Sequence, residues 1–233
     1  MTALWSLALW ISVSANAAAP ALDTEEILAK VDNIRNPGSS FLMTVDVSSG
    51  GDSTSAFEVF VQGNNKTLVK TLEPPRDRGR NLLMLDEEMW AFVPNLKRSV
   101  RVSLSQKLTG QTANGDISRM RWKGDYEAVL ESETPQQWIL LLSAKKKGLT
   151  YDKVRAWVEK KSYRPLKAEF LTSSGKALKT AVYEEYKTMA GAIRPTQIRI
   201  QDAIRADDRS VITIQKMEVR TFPTSLFNQN SLQ

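Results

Sequence analysis

Acid–base and metal chemistry is limited by which residues the chain has. Adjacent carboxylates occur at Glu87-Glu88, Glu184-Glu185 and Asp207-Asp208, and histidine and cysteine are both absent. Without them there is no Ser-His or Cys-His nucleophile and no His- or Cys-ligated metal. Carboxylate-pair and Ser-Lys catalysis remain formally open. The carboxylates, however, fall in turns or at alternating positions beside basic residues, and nothing in their spacing sets two of them across an apolar cleft. The expectation is a binding protein, not an enzyme, with no catalytic residue, metal or cofactor.

The more telling residues are apolar. Asn81 to Leu85 and Met89 to Val93 read as strands, joined by the Asp86-Glu87-Glu88 turn and stopped by Pro94-Asn95. A strand with one wet face alternates apolar and polar residues. These two are apolar on both faces, so each face needs a cover. One cover is a core; the other is a second layer or a cavity holding an apolar guest. Trp90 and Phe92 share a strand face, Met84 lies on the neighbouring strand, Met43 and Val45 on the first, and Trp138 and Leu140 on a later one. These seven are the candidate lining of a lipid-binding cavity, with plain core as the other reading of each. A flexible thioether adapts to varied acyl chains. At ~0.8 kcal/mol per buried methylene, a sixteen-carbon chain gains roughly 10 kcal/mol before entropy and cavity costs.

The elements that position these residues follow from spacing. Asp23 and Glu26 stand at capping-box distance, and Ile27, Leu28, Val31 and Ile34 share one face of a helix that Asn36-Pro37-Gly38 ends. Alternating runs follow, beginning with Phe41 to Val47 and Phe57 to Gln62 around a Gly50-Gly51-Asp52 break, with a hairpin turn at Gly63-Asn64-Asn65. Leu104 to Lys123 loses the period of two. There Asp116 caps a short helix or turn, and Ile117, Met120 and Trp122 are candidate lid residues, ordinary loop packing being the alternative. Strand runs resume at Tyr126 and continue to Arg220. The tail ends in Phe222 to Phe227, a short helix with Leu226 and Phe227 packed inward.

The expected fold is mainly β with few helices: an antiparallel meander of about eleven strands. Sheets this long curl. The result is an unclosed barrel wrapped around helical plugs, whose concavity is either filled core or a lipid pocket. Arg78, Arg80, Arg98 and Arg101 form a basic group near the central hairpin, for which solvated surface is the other reading.

Met1 to Ala17 carries no charged side chain, and Leu4 to Val13 has the length of a signal h-region. Cleavage is expected after Ala17 at Ala15-Asn16-Ala17, leaving 18–233 as one domain outside the cytoplasm without disulfides. Net charge is +6 and pI about 9.5. That favours anionic headgroups or an acidic protein surface over nucleic acid, with transient membrane-surface contact and a monomeric chain.

Pro75 to Arg80, Leu82 to Leu85, Met89 to Pro94, Arg98 to Val102, Tyr163 to Lys167, Gly191 with Pro195, and Phe222 to Phe227 follow one another along the chain. Their order resembles the outer-membrane lipoprotein-sorting proteins of the LolA-like superfamily. Asn114-Gly115-Asp116-Ile117-Ser118 sits where that pattern has a Gly-x-Asp-aromatic-Ser loop, with Ile117 replacing the aromatic. The resemblance implies a periplasmic, helix-capped half-barrel that carries acylated lipoproteins or other lipids from inner to outer membrane. Its partners would be an inner-membrane exporter, in some relatives of the resistance-nodulation-division type, and an outer-membrane acceptor. An accessory protein docking to such an exporter with no cargo of its own is the second implied reading. In the carriers an arginine inside the barrel latches the lid; Arg80 is the candidate for that role here.

Overall fold

The computed structural model describes residues 22–50 and 53–232, so the expected signal segment and part of the Gly50-Gly51-Asp52 break lie outside the described residues. Helix α1 (Thr24–Arg35) begins as its sequence directs. The Asp23 carboxylate accepts from the Glu26 amide at 3.0 Å, and Ile27, Leu28 and Val31 are buried. It stops at Asn36, whose side-chain oxygen accepts from the Gly38 amide at 2.8 Å. Gly38 takes a positive φ there. The buried Arg194 guanidinium donates to the Asn33 carbonyl at 2.5 Å and the Ile34 carbonyl at 3.3 Å, meeting the negative end of the helix dipole.

The strands are β1 (Ser40–Ser49), β2 (Ser53–Gln62), β3 (Lys66–Glu73), β4 (Leu82–Leu85), β5 (Glu88–Val93), β6 (Arg98–Val102), β7 (Lys107–Thr109) and β8 (Thr112–Ala113). Helix α2 (Asn114–Ser118) separates them from β9 (Tyr126–Glu133), β10 (Gln137–Ala144), β11 (Lys153–Glu159), β12 (Pro165–Leu171), β13 (Ala177–Met189), β14 (Ala192–Asp202) and β15 (Arg209–Val219). Thirteen strands form one antiparallel sheet in the order β6-β5-β4-β3-β2-β1-β15-β14-β13-β12-β11-β10-β9, rather than about eleven, and β7-β8 is a separate hairpin. The sheet is not closed, because β6 and β9 do not pair. Exposed charges blunt both edges, Arg98 and Arg101 on β6 and Glu127, Glu131 and Glu133 on β9. α1 and α2 lie on the inner face, where Leu28, Val31 and Ile117 join Met43, Val45, Leu140 and Val154 in one buried cluster.

The register explains the strands that are apolar on both faces. Met84 pairs with Met89 and Leu83 with Trp90. Leu82, Met84 and Met89 belong to the inner cluster, while Leu83, Leu85, Trp90 and Phe92 face outward. The outer cover is the C-terminal tail, whose Phe222, Leu226, Phe227 and Leu232 pack on Leu68, Leu83 and Phe60. Phe222 sits edge-on to Phe60 at 5.4 Å, and Asn81 Nδ2 donates to the Leu232 carbonyl at 3.1 Å. The tail forms 3-10 turns at Thr224–Leu226 and Gln229–Leu232. Phe227→Ala is expected to lower the unfolding free energy by about 3–5 kcal/mol in urea titrations. A loss below about 1 kcal/mol would make the tail a dispensable appendage rather than the second layer.

Candidate functional site

The inner concavity is largely filled. Beneath α2 only about 40 Å³ remains, bounded by residues including Asp116, Trp122, Tyr151 and Tyr183, enough for about a water or two. A larger apolar groove of about 300 Å³ opens where β2 and β4–β6 pass under the β7-β8 hairpin. Phe57, Leu82, Val93, Val100 and Val102 line its floor and walls and Leu108 its roof, with Asp77, Arg80, Gln106 and Lys107 at the polar rim. The volume is at the lower limit of small-molecule sites.

The roof is pinned at its tip. Gly110 turns the hairpin with φ +53°, and a Cβ there would lie 2.3 Å from Ser210 Oγ and 2.4 Å from Ser49 Cβ. Only glycine satisfies both the turn and this approach. The next amide, of Gln111, donates to Ser210 Oγ at 2.8 Å. The Lys179 ammonium donates to the Gln111 carbonyl at 2.7 Å and to Asp116 at 2.9 Å. Asp116 also accepts from the Ala113 amide at 2.8 Å and from the Tyr151 hydroxyl at 2.7 Å. Burial holds the Tyr151 phenol well above its ordinary pKa, so the hydroxyl remains a donor. Gly115 lets α2 approach this cluster, because a Cβ there would meet Thr150 Oγ1 at 1.9 Å. Gly115 and Asp116 thus anchor the plug.

The 119–125 segment is clasped from two sides. Asp32 of α1 accepts from the Trp122 amide at 2.8 Å and the Lys123 amide at 2.8 Å, and the Arg35 guanidinium lies 4.3 Å from the centre of the Trp122 ring. Burial pushes the Asp32 carboxyl up to about 6, against the Arg35 charge and the two amides. Asn36 Nδ2 donates to the Met120 carbonyl at 2.7 Å. On the other side Arg119, its side chain 2% exposed, binds Asp125 with both arms, at 2.7 Å and 2.8 Å. It also donates to the Asp86 carbonyl and to Glu87 at 3.2 Å. Arg121 donates to Asp125 at 3.1 Å and 3.0 Å. Burial pushes the Asp125 carboxyl up, but the hydrogen bonds from the two arginines outweigh it and leave it below the usual carboxylate value.

The residues expected to line one cavity are distributed over three places. Met43, Val45, Met84 and Leu140 are fully buried in the inner cluster, and Trp138 packs half-buried against it with its ring 5.6 Å from Tyr163. Trp90 and Phe92 lie outside under the tail, because β4–β5 pairing puts Trp90 opposite Leu83 and not opposite Met84. Of the seven only Phe92 also borders the groove. Ile117 and Trp122 are buried and Met120 packs against them, as parts of the plug. Arg80 stands at the groove rim, is 61% exposed and pairs with Asp77 at 3.0 Å. The buried arginine holding the plug segment is Arg119. Its signal in the sequence was an arginine placed among Ile117, Met120 and Trp122, with Asp125 six residues on.

Removing one partner of a buried ion pair costs about 3–5 kcal/mol. Arg119→Ala is expected to lose that much stability, and Arg80→Ala no more than about 0.5 kcal/mol; equal losses in urea titrations would contradict the assignment. Asp32 supplies a pH test. Its folded pKa lies above the ordinary value, so its burial cost is present above pH 6 and relieved as pH falls through that value. Asp125 has the opposite sign, and its contribution is lost only as pH falls through its lowered pKa. Between pH ~7.5 and pH ~5, wild type should therefore gain roughly 1 kcal/mol relative to Asp32→Asn. A constant or reversed difference would show that Asp32 titrates elsewhere.

With this geometry established, three solved structures resemble the chain over nearly their full lengths. A LolA superfamily protein from Nitrosomonas europaea is 36% identical, with a TM-score of 0.84 over 91% of this chain and 100% of that one. A putative outer membrane lipoprotein-sorting protein domain from Vibrio parahaemolyticus is 21% identical, TM-score 0.72, covering 89% and 97%. A DUF1329 family protein from Desulfovibrio piger is 20% identical, TM-score 0.75, covering 90% and 97%. The latter two show the shared fold alone. A family model described as an uncharacterized protein matches residues 63–233. No curated protein matches the chain. The open half-barrel and the relative at 36% identity place the chain in the LolA superfamily.

Proposed function

We propose that this chain is a periplasmic carrier that holds acyl chains, of lipoproteins or of other lipids, in the groove between β2, β4–β6 and the β7-β8 hairpin. The supporting observation is the groove itself: about 300 Å³ of mostly apolar lining left open in a half-barrel whose remaining interior is packed. Its chemistry is non-catalytic. Apolar walls supply affinity in proportion to the methylenes they cover, and a polar rim leaves a headgroup or peptide in water. The groove's size suits part of one chain, so a longer chain requires the hairpin roof to lift from the sheet. A carrier must also release its cargo, and a roof held by a few hydrogen bonds at Gln111 fits that need better than a sealed cavity. Membership of the LolA superfamily supports this class of cargo. The leader expected at residues 1–17 supports the compartment.

The second reading, an accessory protein that docks to an inner-membrane exporter without cargo, is favoured by the packing around Leu28, Ile117 and Trp122, which leaves the centre of the half-barrel full.

Ala91 points into the groove between Leu82 and Val100, its cross-strand neighbours. Ala91→Trp is expected to fill the groove and weaken uptake of a fluorescent fatty acid by at least about tenfold, with thermal unfolding still cooperative. Native mass spectrometry of protein purified from periplasm without detergent should show a lipid adduct in wild type that the variant lacks. A clean apo mass and no fatty-acid uptake in wild type would overturn the carrier reading in favour of the docking one.

A further inference from the structure

The rim of the groove carries a feature that cargo binding does not require. The 75–80 loop and the β5–β6 turn lie side by side at one end of the strands, since a Cβ on Gly79 would touch Pro94 at 3.5 Å. The turn lifts Leu96 outward, 57% exposed, and Lys97 follows in a left-handed conformation, the strained geometry that reverses the chain so sharply. The two adjoining turns carry Arg76, Arg78 and Arg80 on one and Lys97 and Arg98 beside Leu96 on the other, against the two carboxylates Glu73 and Asp77. Lys97 and Arg98 have no carboxylate partner among the described residues. An exposed aliphatic side chain ringed by cations is the arrangement that seats in a bilayer interface, with the apolar group among the acyl ends of the headgroups and the cations on phosphates. Asp77, Arg80 and Val93 belong both to this end and to the groove lining.

We propose that this end of the half-barrel docks on an anionic lipid bilayer, Leu96 inserting and the five cations meeting the phosphates, so that the groove mouth opens against the membrane. Another exposed aliphatic at the same end of the strands provides the contrast. Ile204 is 76% exposed but sits between Asp202 and Asp207-Asp208, with Arg205 paired to Asp202 and Asp208. That acidic turn would be repelled by the same surface.

The test is co-sedimentation with sucrose-loaded vesicles, either phosphatidylglycerol with phosphatidylethanolamine or neutral phosphatidylcholine. Wild type should bind the anionic vesicles and not the neutral ones, and lose binding as salt rises from ~0.05 M to ~0.5 M. The pair Lys97→Glu with Arg98→Glu, and separately Leu96→Ser, should each weaken binding, the charge pair by at least about tenfold. Ile204→Ser should change nothing. Lys187→Glu with Lys216→Glu, which makes the same net-charge change toward the other end of the strands, should change little. Equal binding of wild type to both vesicle types, no binding to either, or charge-reversal pairs that behave alike would each overturn the proposal. Leu96, Lys97 and Arg98 do not line the groove, so fatty-acid uptake by their variants should match wild type. Failure of docking and failure of the carrier reading are therefore separate results.

Discussion

An open sheet of this length has an interior but no ring of hydrogen bonds to close it, and the Arg119 guanidinium takes the place of that closure. Its partners come from both ends of the sheet. Asp86 and Glu87 belong to the β4–β5 turn near one edge, and Asp125 immediately precedes β9 at the other. Lys146, from the turn after β10, pairs with Glu87 across the same gap. A charge this buried is costly to leave unpaired. The network therefore fixes where the two arms of the half-barrel stand and holds the 119–125 segment between them. Asp32 and Asn36 of α1 then grip that segment from above, so helix, plug and both sheet arms meet in one polar seam through an apolar interior.

The groove is a consequence of how the seam divides the concavity. On the β9–β13 side the space is filled by α1, Ile117, Trp122 and the stacked Tyr151 and Phe170 rings, 4.0 Å apart. Over the groove the inward residues of β5 and β6 are small, Ala91, Val93, Val100 and Val102, and the cover is a two-stranded hairpin in place of a helix. Small side chains under a thin roof leave volume that large ones do not. The same strands carry their large side chains, Trp90 and Phe92, on the opposite face, where the tail needs them. One stretch of sequence thus supplies both a cavity wall and an outer core.

Much of this was legible in the sequence, and the failures have definite causes. The capping of α1, the run of strands, the turn residues and the inward role of Phe227 follow from local rules, because their partners are a few residues away or are simply the nearest apolar surface. Alternation showed that Trp90 and Phe92 share a face. It could not show which face, since a period of two is the same read from either side, and the pairing register that places Trp90 opposite Leu83 is a tertiary fact. Arg80 and Arg119 are equally plain arginines in the sequence. Their difference is that one follows a surface loop and the other follows a helix held inward by Gly115 and Asp116. The β7-β8 hairpin was hidden because strands of three and two residues are too short to show a period.

The groove, and not the packed centre of the half-barrel, is the proposed seat of the acyl chain. The most direct measurement is methyl NMR of the protein with a stearic acid spin-labelled along its chain. Strong broadening of the Val100, Val102 and Leu108 methyls is expected, with those of Val45, Leu140 and Ile117 nearly untouched. Broadening centred on Leu140 and Ile117, or none at either place, would contradict it.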